Sequence, residues 1–176
     1  ILIGNILFGA AALPAGYLGD RWGPVRLMVL FFVGTGVGSI LVGMASTEIQ
    51  LASGFAVVGL FGSIYHPVGI AWVARRVLNR GKALGLNGVF GSIGVGMAPI
   101  LAAALTDYWS WRVAFIAPGI ISILIGCVLA IMYFIPIMVR TILRIFFHRI
   151  KKDTEKYEKY CVRLSGLINS IKGSKS

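Results

Sequence analysis

Five long runs without a charged side chain constrain this chain more than any other feature: residues 1–19, 27–47, 49–74, 83–106 and 113–139. Each has the roughly 20 residues that an α-helix needs to cross the hydrocarbon core of a bilayer. Buried helices of a soluble protein are excluded by number, because five such runs in 176 residues leave no polar elements to enclose them. A transmembrane barrel is excluded by pattern, since its strands would alternate apolar and polar residues. Composition agrees: 57% of residues are hydrophobic and only 13% charged, whereas a soluble domain carries about a quarter charged residues. The predicted fold class is all-α, a polytopic transmembrane helical bundle.

The connections alternate in basic content. Arg21 and Arg26 sit in the first and Arg75, Arg76, Arg80 and Lys82 in the third, whereas the second holds only Glu48 and the fourth Asp107 and Arg112. By the positive-inside rule, the first and third connections and the segment after the last span face the cytoplasm. That segment, 140–176, holds ten of the 17 Lys/Arg. It directly follows apolar spans, so its expected partner is an anionic inner leaflet and not nucleic acid. Helical projection of residues 140–152 separates Leu143, Phe146, Phe147 and Ile150 from Arg140, Arg144 and Lys151. An interfacial helix on the inner leaflet and a solvated charged connector both fit that pattern. Cys127 and Cys161 lie in different environments and form no disulfide framework or metal site. The chain opens at Ile1 with no methionine and no basic leader, so it is expected to start within a longer protein.

Small residues recur inside the spans. Gly34, Gly36 and Gly38, then Gly85, Gly88, Gly91 and Gly94, are spaced to let neighbouring helix backbones approach. Pro67, Pro99 and Pro118 each free a carbonyl within a span and predict bends. The glycine-rich stretch 34–39 is no phosphate loop, because it lies inside an uncharged run instead of after a strand.

The first connection reads Gly16-Tyr-Leu-Gly-Asp20-Arg21-Trp-Gly23-Pro-Val-Arg26. It resembles the loop between the second and third helices of the major facilitator superfamily. Gly16 allows close helix contact, Gly23 a tight turn, and Asp20 is available to Arg21, Arg26 or a helix N-terminus. Arg80-Gly81-Lys82-Ala83-Leu84-Gly85 is similar to the family's approach to its fifth helix, and Trp111-Arg112-Val-Ala-Phe115 to the stretch before its sixth. Residues 94–99 resemble the antiporter motif of the fifth helix, with Ala98 where that motif usually has glycine. The arginine that often precedes a glycine by four residues in the fourth helix would fall at Phe55, ahead of Gly59. The resemblance therefore covers helices two to six of twelve, within the N-terminal six-helix half. It implies alternating access around a midplane site between two halves, with the second half absent from this chain and residues 140–176 as the start of the connection between halves.

On that resemblance Gly16, Asp20, Arg21, Gly23 and Arg26 form a conformational latch on the cytoplasmic side. Tyr65 and His66 are candidates for the substrate or proton path: an ionisable residue within a span is costly unless it faces a cavity or a partner, and histidine as a residue type changes charge near neutrality. The structural alternative is a neutral His66 bonded to the carbonyl freed by Pro67 or to a neighbouring helix. Asn5, Asn87 and Ser92 are the other polar candidates, each equally suited to interhelical hydrogen bonding. Pro67, Gly94 and Pro99 are the bending and packing candidates. No acid pair, triad or metal set converges, so neither an enzyme nor a cofactor is expected. The expected function is secondary transport of a small solute across a cytoplasmic membrane, with proton coupling open. An organic anion fits His66 and the basic face, and a drug-like compound fits residues 94–99. The rival class is a non-transporting membrane scaffold or a truncated remnant.

Overall fold

The structure is a computed structural model that describes residues 2–173, with side chains through Lys151 and at Thr154 and Lys159. Residue 1 of the first expected span and residues 174–176 of the basic segment lie outside the described residues. The elements are α1 (Leu2–Trp22), α2 (Pro24–Met44), α3 (Glu48–Gly62), a π-helical segment (Tyr65–Ile70), α4 (Ala71–Arg76), α5 (Arg80–Tyr108) and α6 (Trp111–Gly173). Among the described residues, five helical stretches are long and apolar enough to cross a membrane, α3 to α4 counting as one from Glu48 to Arg76. The fold is all-helical, with no strand among the described residues.

The helices extend past the uncharged runs. Asp20 and Arg21 lie in the last turn of α1 and Arg26 in the first turn of α2, so Gly23 alone makes the turn between them. Its φ of 86° is the left-handed backbone that glycine adopts without penalty. Pro24 then opens α2 at a position where a missing N–H costs nothing. Charge-free length marks the apolar thickness, whereas a helix ends only where its backbone loses partners. The end of α2 and the start of α3 show this: the Ala45 N–H still bonds the Val42 carbonyl at 3.2 Å. Thr47 Oγ1 then accepts from the Gln50 N–H at 3.3 Å, while Gln50 Oε1 accepts from the Ser46 N–H at 2.8 Å. This is a reciprocal cap. Asn79 caps α5 by accepting from the Lys82 N–H.

Two compact units divide the chain, residues 1–131 and 132–176. In the first, α2 packs on α3 and α1 on α3 and the π segment, around Ala15, Leu27, Ile64 and Val68. Glycines make these contacts close. A Cβ on Gly36 would lie 2.6 Å from the Gly119 carbonyl oxygen, and one on Gly38 2.9 Å from the Val58 nitrogen. The α5 glycines are different: Gly85, Gly88, Gly91 and Gly94 have nothing within 4 Å. The sequence treated both sets as packing faces, but among the described residues only the α2 set has other helices within contact of its glycines. The boundary of the second unit falls inside α6, which continues past Val139 to Gly173.

The prolines act unequally. Pro67 sits where the third span departs from α-helical register: residues 63 and 64 form a turn and Tyr65–Ile70 is π-helical. Without an N–H, Pro67 cannot satisfy the Ser63 carbonyl four residues back, and a wider turn accommodates the gap. Ser63, 1% exposed, turns its hydroxyl to the Leu60 carbonyl at 2.7 Å. Pro99 and Pro118 lie within unbroken α-helices.

Candidate functional site

Two clusters bring together groups that the sequence keeps apart. The first joins the adjacent ends of α1 and α4. Gly16 faces Pro67 and Gly19 faces Val68, where an added Cβ would come within 2.7 Å of the valine side chain. This close approach sets Asp20 beside Arg75, whose Nη1 and Nη2 donate to Asp20 Oδ1 at 3.3 and 3.4 Å. The sequence left Asp20 to Arg21, Arg26 or a helix N-terminus. The partner instead comes from 55 residues away, because adjacent residues on a helix point in different directions. Arg21 lies over the Tyr17 ring, 5.3 Å from its centroid, and Arg26 is exposed on the first turn of α2.

Both partners of the Asp20–Arg75 pair are about 70% exposed, so water screens it and it contributes at most about 1 kcal/mol. A contact that weak biases an equilibrium without locking it. Beneath it lies a cavity of about 290 Å³ whose walls include Gly16, Gly19, Asp20, Pro67, Trp72 and Arg75. The Trp72 indole N–H is buried without a partner among the described residues.

The second cluster lies at the π segment. Tyr65 Oη donates to Asn87 Oδ1 at 2.7 Å, joining the third span to α5. The Tyr65 ring rests against Phe31 of α2, centroids 5.5 Å apart, and edge-on to His66 at 5.6 Å. His66 also meets Phe8 of α1 edge-on at 5.9 Å. Its ring is exposed, and no hydrogen bond to a carbonyl is present among the described residues. Tyr65 stands 11 residues from Arg76, about 16 Å along a helix and so roughly half the thickness of a bilayer core.

Tyr65 and Asn87 are therefore brought together, with His66 beside Tyr65 in the chain, and the remaining candidates are not. Asn5 is exposed on α1, one turn before Phe8 and on the same face. Ser92, Gly94 and Pro99 are exposed on α5. Phe55, at the position where the family often has arginine, packs its backbone against Gly4 and its ring edge-on to Phe115 at 5.8 Å.

Arg75, Phe8 and Trp72 were not singled out as site residues in the sequence. A helical reading was available for Arg75, since Pro67, Ala71 and Arg75 follow at intervals of four on the face that meets Gly16. Arg112 was read from the sequence as a loop charge and as part of a motif, not as a cap. It donates to the carbonyls of Gly43 and Ala45 at 3.0 and 2.8 Å and so satisfies the end of α2.

A family model described as Major Facilitator Superfamily matches residues 2–152. The chain belongs to this superfamily. The match covers all five candidate spans, so the chain is a multi-pass membrane protein of a transporter family and not of an enzyme family. Among curated proteins it is similar to the puromycin resistance protein pur8 of Streptomyces alboniger, at 29% identity over 70% of this chain and 25% of that protein. It is 30% identical to a protein of Chlamydia pneumoniae named "Probable hexose phosphate transport protein", over 73% of this chain and 29% of that one. It is 32% identical to the riboflavin transporter RibZ of Clostridioides difficile, over 66% and 27%. The chain thus spans between a quarter and a third of the length of these relatives. No solved structure matches it significantly.

Proposed function

We propose that this chain supplies helices two to six of a twelve-helix secondary active transporter, which carries a small organic solute by alternating access. It would act with a second six-helix half in a cytoplasmic (inner) membrane, with the first and third connections and residues 140–176 on the cytoplasmic side. The observation that carries this reading is the hydrogen bond at about mid-depth between Tyr65 on the π segment, whose ring also meets His66, and Asn87 on α5. Polar and ionisable groups at that depth are costly in lipid and mark solute or proton pathways, and π segments concentrate at functional sites. The superfamily match across five spans favours this reading over a non-transporting scaffold.

Asp20 and Arg75 act as the cytoplasmic latch. Their exposed pair stabilises one of two states by at most about 1 kcal/mol, a bias of up to about fivefold that the transport cycle can overcome. The named relatives concern puromycin, hexose phosphate and riboflavin. That range supports a small organic solute without choosing between an anion and a drug-like compound.

The test uses the complete transporter in proteoliposomes. His66→Gln is expected to slow transport or to move its pH profile, and a variant unchanged in both takes His66 out of the path. Asp20→Asn is expected to reach the membrane in normal amount and transport more slowly, whereas full-rate transport would remove the latch role. Competition by small carboxylates or phosphates marks an anion carrier, and lowered cellular accumulation of a cationic dye marks an exporter.

A further inference from the structure

The second unit carries a helix face that spanning the membrane does not use. From Trp111 to Lys151 an apolar stretch runs for 41 residues, whereas a helix needs about 28 to cross a bilayer with its headgroup regions. A bilayer with its headgroup regions is about 40–45 Å thick. Counted from Trp111, about 28 residues end near residue 139, yet large apolar side chains continue in the sequence beyond it. Ile142, Phe146 and Ile150 are 56, 58 and 45% exposed. They lie within about 80° of one another around the helix. Arg140, Arg144 and Lys151 fall within about 40° of one another, centred about 140° away. Residues 140–152 hold five Lys/Arg and no acidic residue. Pro136, inside the same unit, has no N–H for the Met132 carbonyl, which provides a point at which the helix can bend. Arg149 interrupts the apolar row, but its long stem can lie along apolar surface while its charge reaches the headgroups.

We infer that residues 140–151 form a docking surface for anionic lipid, lying in the interface with the Ile142, Phe146 and Ile150 row among the acyl chains and the Arg140, Arg144 and Lys151 row at the headgroups. Charge complementarity selects this occupant: an exposed apolar row alone would fit any apolar partner, but the parallel basic row matches a negatively charged leaflet. The inference needs the membrane placement of the chain and is independent of transport.

The experiment uses the full chain with Cys127→Ala and Cys161→Ala, spin-labelled in turn at Phe146→Cys, Arg144→Cys and Val128→Cys. Each is placed in nanodiscs of phosphatidylcholine with or without phosphatidylglycerol. Relative accessibility to oxygen and to a water-soluble nickel chelate reads depth, and the label at position 128 reports whether the chain has inserted. In the anionic discs, the label at 146 is expected below the phosphates and the label at 144 at the aqueous boundary. In phosphatidylcholine alone, or at raised ionic strength, the label at 146 moves toward water. Each basic residue near an anionic surface contributes about fivefold to partitioning. Arg140→Gln, Arg144→Gln and Lys151→Gln together are therefore expected to lower interfacial seating of the label at 146 by about a hundredfold. With position 128 inserted, the inference is overturned if the label at 146 has the same depth in both lipids. It is equally overturned if that label is shielded in both and indifferent to the glutamines, which would mean a protein partner or purely apolar burial.

Discussion

Replacing Gly36 by alanine tests the packing argument at its most sensitive point. The new Cβ would sit 2.6 Å from the Gly119 carbonyl oxygen and 3.1 Å from the Ile123 nitrogen. Both are backbone atoms, which cannot turn aside as the end of a flexible side chain can. Ordinary contact begins at 3.4 Å, so α2 and α6 must separate locally by about 0.8 Å. The Thr35 to Ser122 hydroxyl contact, 3.3 Å long and one residue from the clash, would then pass out of hydrogen-bond range. Overpacking of this kind costs about 1–3 kcal/mol. The better helix propensity of alanine returns up to about 1 kcal/mol. Gly94→Ala in α5 makes the same chemical change with nothing within 4 Å, so only the favourable propensity remains. Thermal unfolding of the purified chain in detergent, followed by loss of the monodisperse peak, should therefore rank Gly94→Ala at or above the parent and Gly36→Ala clearly below it. Equal midpoints for the two variants would refute the assignment of close packing to α2 and open space to α5.

Three other perturbations follow from the same geometry. In a double-mutant cycle on unfolding, Tyr65→Phe and Asn87→Ala should couple by about 0.6 kcal/mol, the usual size for a hydrogen bond between membrane helices; additive effects would deny the 2.7 Å contact. Asp20→Arg combined with Arg75→Asp should restore most of the stability lost in either single variant, each loss being under about 1 kcal/mol for so exposed a pair; no recovery in the double variant would deny the pairing. Arg112→Leu leaves the Gly43 and Ala45 carbonyls without their donor and should destabilise the chain by about 1–3 kcal/mol, measured by the same unfolding assay, with an unchanged midpoint counting against the cap.

The sequence alone determined the class of this protein and the number of its spans. The cost of placing a residue in lipid is local and nearly additive along the chain, so runs such as 27–47 or 113–139 declare themselves without knowledge of any neighbour. The family motif from Gly16 to Arg26 was legible for a related reason, since its residues are adjacent in sequence. Tertiary structure alone decided that Asp20 pairs with Arg75, that Tyr65 meets Asn87, and that Gly36 is packed while Gly88 is open. Each depends on which helix stands alongside and at what rotation, and hydropathy carries no such information when a span is apolar all round. Helix ends and the π segment at Tyr65–Ile70 fall between these cases. Pro67 marked the place in the sequence, but the widened turn is the backbone's answer to a missing N–H beside a tightly packed Gly19, and that packing exists only in the folded chain.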